Sequence, residues 1–88
     1  MVRVLMYGTL EEMSGTREVG ISGDRVLDVL ISLSSLYDSS FRDMLLGGGE
    51  SRVAILINGA PVRRNVFEAS LRDGDVLSLM PFGDENDV

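Results

Sequence analysis

Apolar and polar positions alternate along "VRVLMY" (Val2 to Tyr7), where Val2, Val4 and Met6 oppose Arg3, Leu5 and Tyr7. That two-residue period, carried by β-branched and aromatic side chains, predicts a strand with one face in a core. "GTLEEMSGT" reads as a polar connection with Gly15 suited to a positive φ, and "REVGIS" (Arg17 to Ser22) alternates again, so the two runs predict a β-hairpin. The period then changes. In "SGDRVLDVLISLSSLYD", Val26, Val29, Leu30, Leu33 and Leu36 or Tyr37 fall at i, i+3, i+4, i+7 spacing, opposite Asp28, Ser32 and Ser35. This stripe predicts one amphipathic helix, with Ser22 or Asp24 as the expected N-cap.

"SSFRDMLLGGGES" predicts a brief helical turn around Phe41, Met44, Leu45 and Leu46, then a loose loop at the three glycines. "RVAILING" (Arg52 to Gly59) is a nearly continuous apolar run closed by the turn residues Asn58 and Gly59, the pattern of a central strand. A short edge segment is expected around Val62 to Arg64, followed by a return that Phe67 and Leu71 anchor. "RDGD" makes a tight turn at Gly74 into the last strand, "VLSLM" (Val76 to Met80), and Pro81 ends the pairing by removing a ladder donor. Strands on both sides of one helix predict a small α+β fold with that helix lying across one face of a sheet. If Leu77 and Leu79 point toward the helix, then Val76, Ser78 and Met80 point away from it and Leu56 joins them. An apolar open face of that kind is a docking surface, a strand simply apolar on both sides, or a face covered by loops.

Composition narrows the function more than the fold. Eighty-eight residues make one small domain, and 44% hydrophobic residues are enough to offset its ordering entropy. Cysteine and histidine are both absent, which removes disulfides, thiolate nucleophiles, Cys/His zinc sites and imidazole bases. A net charge of −6 disfavours nucleic acid and anionic membranes as partners. No apolar run approaches the ~20 residues of a membrane span, and the N-terminal stretch lacks a signal-peptide pattern, so a cytoplasmic protein is expected. All eight basic residues are Arg, so no ε-amine is offered to an isopeptide-linked modifier.

The remaining polar clusters carry little. Asp84, Glu85 and Asp87 have the chemistry of a hard-cation site, but a solvated terminal tail accounts for them more simply. Glu11, Glu12 and Glu18 have no evident acid/base partner, and "GGGES" lacks the Gly-Lys-Ser/Thr ending of a phosphate loop. Arg63 and Arg64 fit a charged sheet edge that resists edge-to-edge pairing. No catalytic set, metal site or cofactor is expected.

The order of elements, "GTREV" before the second strand, "ILING" in the central strand and above all "LRDGDVLSLMP" resemble the MoaD/ThiS family of ubiquitin-like sulfur carriers. That family includes the small subunit of molybdopterin synthase, the thiamine-pathway sulfur carrier and the archaeal ubiquitin-like modifiers. The resemblance, from Val2 to Pro81, implies a β-grasp fold with a mixed four- to five-stranded sheet and one helix across it. It also implies a partner, an E1-like activating enzyme or a larger synthase subunit, met by the sheet face and the start of a C-terminal arm. In the family the arm ends in Gly-Gly, whose carboxylate is adenylated and then carries a thiocarboxylate or forms an amide. Here Glu85 and Asn86 stand where those glycines would fall. A fully extended tail threading a narrow channel admits only residues without side chains, which these are not. Ending the chain at Gly83 would leave the carboxylate about 10 Å short at ~3.3 to 3.6 Å per residue.

The sequence therefore predicts a non-enzymatic β-grasp domain over residues 1 to 82, monomeric when free, with an acidic flexible tail over 83 to 88. It would bind a protein through Leu56, Val76, Met80 and Phe82, with Pro81 and Gly83 opening the arm. The alternative is a working carrier or modifier activated at a processed C-terminus.

Overall fold

The computed structural model describes residues 1–46 and 53–81. The chain runs β1 (Val2–Met6), α1 (Gly8–Ser14), β2 (Glu18–Ile21), α2 (Val26–Ser34), α3 (Ser39–Leu46), β3 (Val53–Ile57), β4 (Ala60–Pro61), a single 3-10 turn (Val66–Glu68) and β5 (Val76–Pro81). The strands form one five-stranded sheet in the order β2-β1-β5-β3-β4. β1 pairs parallel with β5 and every other neighbour pair is antiparallel, so the sheet is mixed.

One face of this sheet is the core. Val2, Val4 and Met6 of β1, Ile21 of β2, Val53 and Ile55 of β3 and Leu77 and Leu79 of β5 are all buried on it. The predicted stripe of α2 closes over them, with Val26, Val29, Leu30 and Leu33 all at zero exposure. Phe41 and Leu45 of α3 and Leu10 of α1 enter the same cluster, so every helix contributes to one core. Tyr37 stacks obliquely on Phe41, ring centroids 4.7 Å apart, and shields that end of the cluster.

Several elements differ from the sequence expectation. The connection between β1 and β2 is the helix α1, although the two strands do pair antiparallel as predicted. The segment read as a brief turn is the eight-residue helix α3, so the sheet carries three helices where the sequence predicted one. Neither Ser22 nor Asp24 caps α2: the N-cap is Arg25, without a side-chain cap bond, and the Val26 amide is satisfied by the Ala69 carbonyl instead. The segment after the 3-10 turn, remote in sequence, thus replaces the local cap, aided by the isolated Arg25–Ser70 bridge. β4 lies at Ala60–Pro61 rather than around Val62 to Arg64, because Asn58 and Gly59, at φ 52 and 85, make a two-residue turn that starts the return strand at once.

Both prolines sit where the ladder needs no donor. Pro61 faces Leu56 at a non-hydrogen-bonded position, since Ile55 and Val62 flank it as a bonded pair through Val62 N and Ile55 O. Pro81 is the last residue of β5, opposite Val53. Its nitrogen points to the β1 side, where the Tyr7 carbonyl already accepts the Leu10 amide of α1. The proline therefore ends pairing with β1 without leaving an acceptor unmet.

Candidate protein-binding face

The strands that bury one set of side chains present the alternate set on the opposite face. Register aligns one residue from each strand into a row: Glu18, Leu5, Ser78, Leu56 and Pro61, from β2 to β4. At ~4.8 Å between strands the row crosses about 19 Å. Val76 lies beside Arg3 on one side of it, and Met80 beside Ala54 on the other. Leu5, Ala54, Leu56, Val76 and Ser78 are half-buried, Met80 is 41% exposed, and none of them joins the core cluster. Among the described residues no helix lies on this face.

A charged pair frames the β2 end of the row. Arg3 Nε donates to Glu18 Oε2 at 2.8 Å. That hydrogen bond holds the Glu18 carboxyl below its ordinary value and raises Arg3 above its own. Both groups are solvent-exposed, so the pair fixes side-chain directions more than it stabilises the fold.

The turn end of the sheet is locked by a separate network. Asn58 N donates to the Val76 carbonyl at 2.8 Å, and Val76 N donates to Asn58 Oδ1 at 2.9 Å. The Arg72 amide, at 2.8 Å, and Asn58 Nδ2, at 3.2 Å, both donate to the Asp75 carboxylate and hold it below the usual carboxylate range. The Arg3 amide donates to the Asp75 carbonyl and the Gly74 amide to the Met1 carbonyl, while the N-terminal ammonium pairs with Asp73. The "DGD" stretch is thus structural: it ties β1, β3 and β5 together at the end opposite the arm.

Of the residues singled out in the sequence, Leu56, Val76 and Met80 lie together on the open face, and Pro81 sits half-buried at the end of β5. Phe82 and Gly83 lie outside the described residues, as do the glycine loop and the acidic tail. The sequence reading missed Leu5, Ala54 and Pro61. Leu5 and Ala54 alternate with buried neighbours, but only the parallel β1–β5 pairing and the β3–β5 register bring them beside Ser78 and Met80. Among the described residues there is no group of three or more His, Cys, Asp or Glu side chains able to hold a metal ion, and no helix long and apolar enough to cross a membrane.

The chain matches the model of the ThiS family over residues 4–83. Small archaeal modifier protein 1 from Methanosarcina acetivorans shares 32% identity and superposes with a TM-score of 0.80, covering 94% of this chain and 93% of that one. A Pyrococcus furiosus protein assigned as subunit 1 of a molybdopterin converting factor shares 26% identity at a TM-score of 0.75, with 93% and 97% covered. A chain of the BexX/CysO complex from Amycolatopsis orientalis, 23% identical at a TM-score of 0.79 with 94% and 97% covered, agrees in fold. No curated protein sequence matches the chain. Sheet order, helix placement and a family match spanning nearly its whole length agree: this chain belongs to the ThiS family of ubiquitin-like sulfur carriers and modifiers.

Proposed function

We propose that the chain works by binding another protein through the open face of its sheet, without catalysing a reaction itself. The observation that carries this reading is the row Leu5, Ser78, Leu56 and Pro61, a largely apolar strip on an open sheet face against which, among the described residues, no helix packs. Family membership gives the kind of partner: an E1-like activating enzyme or a larger synthase subunit. The CysO relative was solved in a complex, and the P. furiosus relative is named as one subunit of a converting factor. Met80 and Pro81 put the start of the arm beside the same face, so one partner can cover both, with Phe82 and Gly83 next in sequence. The domain is monomeric when free and cytoplasmic in this reading, and residues 83 to 88 act as an acidic tail.

Terminal activation is the second reading, favoured by a family match that extends to residue 83. Against it stand Glu85 and Asn86, side chains in a channel that admits glycine. The two readings separate in one experiment. The 88-residue chain and a variant ending at residue 86 with Glu85→Gly and Asn86→Gly are each incubated with a family activating enzyme and ATP. Adenylation joins the terminal carboxylate to the α-phosphate of ATP and releases pyrophosphate, which is followed together with terminal mass. The binding-only reading expects pyrophosphate from the rebuilt chain alone. Pyrophosphate from the unmodified chain would return it to the working carriers, and none from either would count against docking by the sheet face.

A further inference from the structure

A second surface lies around the corner of the sheet from the open face. β4 pairs with β3 only at Leu56 and Ile57, so the first half of β3 is flanked by the loop after β4 in place of a strand. Val62 N donates to the Ile55 carbonyl at 3.0 Å, and from there the loop swings away. The gap is a groove of about 440 Å³ lined by Val53, Ala54, Ile55, Pro61, Val62 and Val66, with Arg63 in its wall. Three consecutive residues of β3, Val53 to Ile55, line one side of it, so a segment bound there would lie beside a strand, as extended peptides do on sheet edges.

Its charge is opposite to that of the molecule. The chain carries −6 overall, yet among the described residues no carboxylate lines this groove, and Arg63 and its neighbour Arg64 are both exposed. Among the described residues neither guanidinium takes part in an ion pair. Asn65, held at φ 48, turns the chain directly after them and starts the 3-10 turn that places Val66 in the groove wall. An apolar trough with Arg63 in its wall and Arg64 exposed next to it in sequence matches a segment with apolar side chains on one side and carboxylates on the other. We propose that this groove takes an extended acidic segment of a protein partner, its apolar side chains against Pro61, Val62 and Val66 and its carboxylates on Arg63 and the neighbouring Arg64. The proposal rests on the protein-binding reading for the nature of the occupant, but on separate residues for its geometry, apart from Ala54 and Pro61, which border both surfaces.

The test uses the uniformly 15N-labelled 88-residue chain and two synthetic peptides of about eight residues, a length that spans some 26 Å when extended. One alternates Val or Ile with Asp or Glu, and the other has Lys in place of each acid. Amide shifts are followed in two-dimensional NMR spectra at low and high salt. The acidic peptide is expected to shift Val53 to Ile55 and Val62 to Val66, with affinity that falls as salt rises. Arg63→Glu with Arg64→Glu should weaken it by about tenfold or more, whereas Arg63→Lys with Arg64→Lys should keep most of the binding. Both positions are exposed, and retained dispersion of the spectrum shows that the variants remain folded. Equal binding of the Lys peptide, no shifts at all, or full affinity in the charge-reversed variant would overturn the proposal. Shifts confined to Leu5, Leu56 and Ser78 would also overturn it while leaving the sheet-face reading intact. Tighter peptide binding after deletion of residues 82 to 88 would name the chain's own tail as the occupant and overturn it too.

Discussion

The two faces of the sheet are built from the same strands, one residue out of step, and they meet different fates. On the inner face Val4, Met6, Leu77 and Leu79 are fully buried under three helices. On the outer face Leu5, Val76, Leu56 and Met80 are just as apolar, yet they stay outside the core cluster and keep part of their surface exposed. Only one face is needed to fold an 88-residue domain. Apolar side chains on the other contribute little to the core, and they are the residues to which the proposed docking role is assigned.

The largest expected effect sharpens this contrast directly. Leu77→Ala, which removes a fully buried side chain beneath α2, should destabilise the domain by about 2 to 5 kcal/mol in urea unfolding. Leu56→Ala, on the same sheet but half-exposed, should cost under ~1 kcal/mol. Equal losses would mean that the open face is covered and belongs to a second core. Leu30→Ala on α2 should resemble Leu77→Ala, because both sit in the one cluster.

A smaller effect concerns the turn end of the sheet. The Asp75 carboxylate, held below its ordinary value by the Arg72 amide and the Asn58 side chain, stabilises the fold at pH values above about 3.9. That contribution should fade as pH falls further, through the lowered folded-state value. Asp75→Asn should therefore flatten the acid limb of a stability-versus-pH curve measured by chemical denaturation. A variant with the same acid limb as the parent would remove Asp75 from the account of the turn. Smallest of all is the Arg3–Glu18 pair. Glu18→Gln should leave the thermal midpoint nearly unchanged and insensitive to salt, as expected of an exposed ion pair.

The same contrast explains what the sequence made legible. Alternation in "VRVLMY" and "VLSLM" and the stripe of α2 are local patterns enforced by burial, and the buried residues they pointed to are the core. α1 escaped because a seven-residue helix buries one residue fully, Leu10, with Met13 only partly buried behind it, and so shows no periodic stripe. α3 was visible as Phe41 and Leu45 four apart, but the glycines after it made the segment look shorter than its eight residues. The N-terminus of α2 depended on Ala69, forty-three residues downstream of the amide it satisfies. On the open face, Leu56, Val76 and Met80 followed from alternation alone. Leu5 required the parallel pairing of the first and last strands, a contact between chain ends that no local pattern encodes.

The claim that the open face is where this chain meets its partner is tested most directly by placing a charge at the centre of that face. Binding of parent and Leu56→Asp to a family activating enzyme or larger synthase subunit is measured by surface plasmon resonance, with circular dichroism to show that both are folded. Leu56→Asp is expected to keep the native spectrum and lose at least about tenfold in affinity, as when a charge is buried at the centre of an interface. Unchanged affinity in a folded Leu56→Asp variant would contradict that claim.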